Sequence, residues 1–287
     1  MNTKRILLSV AIVAGTVFTA FAGGDTNKMD AQGRKQGIWV ENLGPTKWVG
    51  NYIDGKKQGT WISHHYNGIL DELVEYHDNV RNGMDVNVDV NGYFKSEKSY
   101  RNDTLNGLCT EYFPGGKVSS QIAYYMGKYN GVRKVYYNGG GIEEDGMYKM
   151  GIRDGETKWY YQDGKVATKY IYTNGTLNGP FESYYENGNI LSKGTFKNND
   201  YEGEYVEFYE NGKAKATGTY KAGKKTGEWA EYNEDQTEKT THKFSDNKEV
   251  GKPKVEKMKP APEAPKTDDK RVDDKKAGTT PPPANKK

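Results

Sequence analysis

The sequence predicts an all-β protein: an elongated, single-sheet antiparallel meander of about eight 24-residue β-hairpin repeats. Three observations carry that prediction. Glycine recurs at Gly59, Gly83, Gly107, Gly131, Gly155, Gly179, Gly203 and Gly227, always 24 residues apart. With 35 glycines in 287 residues each further match has odds of about one in eight, so seven in succession exclude coincidence. A second set follows nine residues behind the first: Gly68, Gly92, Gly116, Gly140, Gly164, Gly188 and Gly212, failing only at Gln236. Finally, 23 Tyr, 8 Phe and 5 Trp stand in a chain that is only 34% apolar. High Gly and Tyr suit short strands joined by tight turns.

Taking each anchor glycine as offset zero, the elements follow in order. The strand after the anchor carries aromatic side chains at offset 2 (Trp61, Phe181, Tyr205, Trp229), with Cys109 in the same column as a small buried hydrophobe. Offset 5 holds Tyr112, Tyr136, Tyr160, Tyr184 and Tyr232, and offset 6 holds Phe113, Tyr137, Tyr161, Tyr185 and Tyr209. Asn67, Asn91, Gly115, Gly139, Asp163, Asn187 and Asn211 then precede the second glycine. Such pairs accept positive φ at both centres of a two-residue type I′ turn, which predicts the hairpin tip. The return strand ends at offset 17 in a column that is always aromatic: Tyr76, Tyr100, Tyr124, Tyr148, Tyr172, Phe196, Tyr220 and Phe244. A looser polar turn, such as Lys221-Ala222-Gly223-Lys224, leads to the next unit.

With a two-residue loop, paired offsets sum to 17, so each anchor glycine faces the offset-17 ring, and that ring is expected to lie over the bare backbone. Offsets 2, 6 and 11 (Leu70, Phe94, Val118, Ile142, Val166, Ile190) join it on one face, with the offset-5 tyrosines on the other. The unit Asp85-Val86-Asn87-Val88-Asp89-Val90 conflicts with this, because its valines fall on the supposedly outer face. Either its register differs or both faces are partly apolar. Sixteen strands at about 4.8 Å would make a ribbon about 75 Å long before twist.

Flanking segments divide the chain further. Lys4 and Arg5, the apolar run 6–18 and Ala20-Phe21-Ala22 have the layout of a secretory signal, residues 1–22, cleaved after Ala22. A leader of 23–36 precedes the repeat domain, 37–250, whose first glycine, Gly37, stands 22 residues before the series. Residues 251–287 hold eleven Lys/Arg and six Asp/Glu with no aromatic residue, and are expected to form a disordered Lys/Pro/Asp-rich tail. The net +3 of the chain resides in its ends, the body being about −4, so nothing calls for a nucleic-acid partner. An exported chain, periplasmic or secreted, with no transmembrane segment after cleavage is the expectation.

The strings GKKQGTWISHHYNG, GPFESYYENGNILSKGTF and GEYVEFYENGKAKATGTYKAGKKTGEW resemble the MORN-repeat variant family over roughly residues 33–250. The pattern is Gly, an aromatic two residues on, a Tyr-Tyr-like pair, Asn-Gly, then Gly-x-aromatic. Asp85, Arg133 and Thr157 depart from it, and so does the last unit. The resemblance implies a non-catalytic scaffold or binding ribbon. Bacterial members of the YwqK type are labelled antitoxin-like.

Candidate chemistry is sparse. Asn87–Gly92 imitates half a calcium loop, yet Asn87 and Lys98 occupy the positions that need Asp and Glu. Gly139-Gly140-Gly141 lacks the Lys-Ser/Thr of a phosphate loop. His64 and His65 point to opposite faces of a strand, and His77 and His242 lie far off, so no metal site is expected. No nucleophile has a His/Asp arrangement around it, and no cofactor is implied. What remains is the Tyr stripe, Tyr112, Tyr136, Tyr160, Tyr184 and Tyr232, either a stabilising ladder or an exposed binding surface. The expected function is a protein-binding scaffold in the cell envelope. The alternatives are a carbohydrate-binding ribbon and an antitoxin or immunity partner.

Overall fold

The computed structural model describes residues 25–43 and 46–258. The signal 1–22 and residues 259–287 of the tail lie outside the described residues. Among those described, 24 strand segments form one open antiparallel meander without a helix. Nine hairpins stand side by side, one for each anchor glycine from Gly37 to Gly227. The strand count exceeds sixteen because the Gly37 unit is complete, both ends add short strands, and the strands Thr104–Leu105, Thr176–Leu177 and Asp200–Tyr201 are cut off at an anchor glycine.

The anchor glycines do face the offset-17 column, as in Gly59↔Tyr76, Gly155↔Tyr172 and Gly227↔Phe244. The route to that register differs from the one expected. In the Asn-Gly loop, His65 N–H donates to the Ile69 carbonyl and Gly68 N–H to the His65 carbonyl, so three residues form the tip. Only the glycine is left-handed (Gly68 φ +84°, Gly164 φ +88°), except in Gly115-Gly116, where both residues are. This is the pattern of a type I turn closed by a glycine bulge. Asn67, Asp163, Asn187 and Asn211 use their side-chain oxygen to accept the N–H two residues on, which holds them out of the left-handed region. One residue of the return strand then goes unpaired: Ser63 faces Glu72 while His64 faces Leu70. That bulge cancels the longer loop and restores the sum of 17.

The type I′ turns are at the connections expected to be loose. Asp78-Asn79 (φ +52° and +72°), Asn102-Asp103 (+49° and +59°) and Met126-Gly127 (+49° and +76°) each close a two-residue link. A second bulge occurs between units, where Tyr76 faces Arg81 but Val74 faces Asp85, leaving Gly83 at its centre with φ +131°. That left-handed bulge is why the anchor is glycine. The ring-over-glycine expectation fails here, since the place of an anchor Cβ is bordered by offset-16 side chains (Ser99, Ala123, Met147, Ile171) or by nothing. Ring over glycine occurs instead at offset 15. A Cβ on Gly218 would fall inside the Trp229 ring, and one on Gly50, which like Gly218 lies nine residues before the next anchor, inside Trp61.

The bulge at offset 12 also corrects the faces. Leu70 and Phe94, at offset 11, lie with Ile62, Leu73, Val86 and Val88 on the face of offset 5, not with the rings. Both faces are therefore apolar in the first units: an aliphatic cluster on one side, and Trp39, Tyr52 and Trp61 on the other. The valines of 86–90 keep the common register.

Each end of the sheet, among the described residues, finishes in a short strand. Residues of the expected leader fold back, Lys28–Met29 pairing with Lys35 and Gln36, and the Asn27 amide exchanges hydrogen bonds with Val40 like a strand residue. At the other end Lys254–Lys257 pairs with Glu238–Thr241. The first residues of the expected tail are thus a strand. Gly251 (φ +84°) acts as a tenth anchor, and the described residues include the first strand of its unit. Short edge strands limit strand addition from outside.

Candidate binding surface

Two columns that bind neighbouring units together precede any external surface. Tyr137, Tyr161, Tyr185 and Tyr209, at offset 6, each donate their hydroxyl to the carbonyl of offset 5 in the next unit, at 2.6 to 2.9 Å. His65 makes the equivalent contact with the Val88 carbonyl at 3.0 Å. The second column lies two residues before each anchor and went unnoticed in the sequence. Lys57 stands over the Trp61 ring at 3.9 Å, Arg81 over Tyr100 at 4.0 Å and Lys225 over Trp229 at 4.2 Å. Tyr201 takes the same place between Phe196 (4.4 Å) and Tyr220 (5.0 Å). The signal was available as Lys57, Arg81, Leu105, Tyr129, Arg153, Leu177, Tyr201 and Lys225 at period 24, but mixed chemistry hid the shared role.

The Tyr stripe lies on the face opposite the rings and is half-buried throughout. Tyr112 donates to Glu97 at 2.6 Å, Tyr136 to Gln121 at 2.8 Å and Tyr184 to Glu182 at 2.6 Å. Tyr112 also tilts against Phe94 at 5.7 Å. Burial first, then the Glu182 carboxylate, push the Tyr184 hydroxyl up to about 12. Burial and Glu97 raise Tyr112 as well. Tyr160 and Tyr232 supply the carbonyls that accept the Tyr137 and Tyr209 hydroxyls. These contacts are those of a ladder inside the sheet.

Where the ring column fails, polar groups replace it. Glu144 accepts from both Arg133 and Arg153, the latter at 2.7 Å, and the Arg153 guanidinium lies 5.2 to 5.5 Å from the Tyr148, Trp159 and Tyr172 rings. Thr157 beneath them is wholly buried, with its hydroxyl unpartnered. Asp85 is buried beside Arg81 at 3.6 Å and accepts from Asn87 at 2.9 Å. Burial raises the Asp85 carboxyl, as it does that of Glu72. Cys109 packs buried in the same column, its thiol pushed up by burial. His65 lies 3.4 Å from Asp71 and His242 2.7 Å from Glu249. Among the described residues no group of three His, Cys, Asp or Glu side chains has the arrangement of a metal site.

Apolar side chains left exposed gather between residues 84 and 152. Leu108 (53%), Tyr125, Met126 (63%), Met147, Met150 and Ile152 (51%) are exposed, as is Met84. Leu108 faces Ala123, Met147 faces Val132, and Tyr125 and Ile152 flank successive type I′ turns, so they share the Tyr-stripe face and its type I′ margin. A cavity of about 490 Å³, lined by Arg101, Asn102, Thr104, Asn106, Tyr125 and Met126, opens beside them. No single residue here was named from the sequence, because their columns do not keep one chemistry: offset 19, for example, holds Met126 and Met150 but Asp78, Asn102 and Asn174 elsewhere.

A comparison with curated proteins finds no match. The family comparison does, and in the frame just described: each matching stretch starts at the ring-covering column (Arg153, Leu177, Tyr201) and ends on the first residue of a type I′ turn (Asn174, Asn198, Ala222). Residues 153–174, 177–198 and 201–222 are three consecutive repeats that match the MORN repeat variant.

Proposed function

We propose that this chain is an exported, non-enzymatic repeat protein that acts as a protein-binding scaffold in the cell envelope. Repeats of this type generally serve as protein- or membrane-binding modules. The observation that carries the scaffold reading is the exposed apolar group Leu108, Tyr125, Met126, Met147, Met150 and Ile152. Methionine-rich patches adapt to a protein partner, and apolar groupings of this kind mark interaction sites. The basic and apolar end of the chain, residues 1–22, supplies the argument for export. No helix among the described residues is long and apolar enough to cross a membrane.

The test is a crosslinked pull-down from envelope lysate with wild type and with Leu108→Glu/Met147→Glu/Ile152→Glu. The expected outcome is a stoichiometric protein that the triple variant loses while its thermal unfolding stays close to wild type. A control without the tail has to end at Met258, because stopping at Val250 would strip Lys254–Lys257 from the last strand. Equal capture by both proteins would overturn the assignment of this patch. If only polymer is retained, and Tyr136→Ala/Tyr160→Ala abolishes retention without unfolding, the carbohydrate reading replaces it. Loss of viability on deletion beside a toxin gene would favour the antitoxin reading.

A further inference from the structure

The two margins of the ribbon carry an excess of opposite charge, with Asp200 among the lysines and Lys213 among the glutamates, and much of it is unpaired. On the Asn-Gly loop margin, Glu186, Glu210 and Glu234 occupy offset 7 of three consecutive units. All three are exposed, and none has an ion-pair partner among the described residues. They are held in a row from behind: the Asn187 amide donates to the Glu210 carbonyl at 3.1 Å and the Asn211 amide to the Glu234 carboxylate at 3.3 Å. On the type I′ margin, Lys149, Lys197 and Lys221 share offset 18, with Lys128 close by. These four are exposed too, and none forms an ion pair among the described residues. Many other charges of the sheet are paired, Lys134 with Asp145 and Lys169 with Glu182 among them.

The three glutamates step by one repeat, about 10 Å for two strands, and so do Lys197 and Lys221, while Lys149 stands two repeats before Lys197 with Thr173 between them. Lys197 and Lys221 keep that step with the opposite sign, which makes the other margin of a second copy a partner for two successive glutamates, with Lys149 and Lys128 extending the basic edge. We infer that copies of this chain associate side by side, the Glu186/Glu210/Glu234 margin of one against the Lys149/Lys197/Lys221 margin of the next. The contact is head-to-tail, so each copy keeps one free margin of each sign and the array stays open. Individual exposed pairs contribute little, so association depends on several acting together and weakens with salt. The basic margin includes Met126, Met150 and Ile152 of the apolar patch, so self-association and the partner proposed there would meet on one edge, and the test below is made without that partner.

The test uses the protein as the cell produces it, in sedimentation velocity over a concentration series. Wild type is expected to form growing species at about 20 mM salt and to return to monomer near 0.5 M, where the Debye length is a few ångström. Glu186→Lys/Glu210→Lys/Glu234→Lys and Lys149→Glu/Lys197→Glu/Lys221→Glu should each lose at least tenfold in self-association, with circular dichroism unchanged. Mixed one to one, the two variants retain one native margin each and should form a dimer that does not grow. Monomeric wild type at low salt, a variant that still assembles alone, or a mixture that stays monomeric would each overturn the inference. Loss confined to the lysine variant, with an anionic polymer restoring assembly of wild type, would instead make that polymer the occupant of the basic margin.

Discussion

The C-terminal units, from Gly179 to Phe244, and the central units, from Gly83 to Tyr172, share turns, bulges and register but fill the ring face differently. In the C-terminal units Phe181, Tyr205 and Trp229 stand at offset 2 and join Phe196, Tyr201 and Tyr220 in one run of rings, centroids 4.4 to 6.3 Å apart. In the central units the same offset holds Asp85, Cys109, Arg133 and Thr157, and a Glu144 pair of arginines closes the space. Backbone geometry is therefore not set by the ring column. It is set by left-handed glycines, two-residue type I′ links and side-chain-to-carbonyl bonds between units. The rings add burial, which the centre replaces with ion pairs. In a repeat sheet each unit leans on its neighbours, so such a substitution can stay local.

The largest expected effect separates the two regions at one offset. Gly218 and Gly146 both occupy offset 15. A Cβ on Gly218 would overlap the Trp229 ring, which is buried and cannot leave without emptying its site. Gly218→Ala should lose about 3 kcal/mol or more. At Gly146 the nearest atoms are the Thr157 hydroxyl at 3.2 Å and methyl at 3.3 Å, and φ is not left-handed. Gly146→Ala should cost under about 1 kcal/mol, since alanine also restricts the unfolded chain. Urea unfolding of both variants measures the contrast; equal losses would show that the rings are not what distinguishes the regions.

A smaller loss is expected from the central triad. Glu144 is 7% exposed and holds two guanidiniums. Glu144→Gln leaves both arginines without their anion in a mostly buried place, a loss of about 2 to 3 kcal/mol. Glu182→Gln, on the C-terminal ladder with a single lysine at 3.0 Å and a half-exposed setting, should cost under about 1 kcal/mol. Thermal unfolding of the two, side by side, tests whether the centre relies on charge where the C-terminal units do not.

How much of this was legible follows from the same contrast. The period, the pairing of Gly59 with Tyr76 and the all-β class came from columns of identical residues. The turn types did not, because Asn67-Gly68 and Asp78-Asn79 both satisfy a type I′ pattern, and only the hydrogen bond that Asn67 accepts from the Ile69 N–H of its own loop decides between them. The faces failed for one reason: an unpaired residue such as Asp71 inverts every side chain beyond it, and a bulge leaves no mark in a period of two. The Tyr stripe was placed on the correct face, while its hydroxyl partners Glu97 and Gln121 come from offset 14 of the preceding unit, a column whose chemistry changes from Leu73 to Asp145 and Lys169 and so gives no repeating signal. The exposed patch at Leu108 and Ile152 is irregular by nature, and periodicity passes over it.

The smallest expected effect is a matter of pH. Asp85 stands where other units put a ring, and burial raises its carboxyl above the ordinary value, against the pull of Arg81 and Lys98. Glu72 is raised as well, by burial first and then by Asp85. A carboxyl raised in the folded state costs stability when it ionises. The cost is absent below the unfolded value, grows as pH rises through the folded value and is complete above it. Asp85→Asn keeps the shape and cannot ionise, so at pH 7 it should match or exceed wild type by up to about 1 kcal/mol. The gap should close on acidification, as the wild-type carboxyl takes up its proton. Loss of the Arg81 contact at 3.6 Å works against the gain, which is why its size is small. Urea midpoints of both proteins between pH 4 and 7 decide it: a gap that widens towards acid would mean that Asp85 is stabilised as an ion by Arg81, and that the centre tolerates its missing ring through that pair, while a constant gap would mean that folding leaves the carboxyl unshifted.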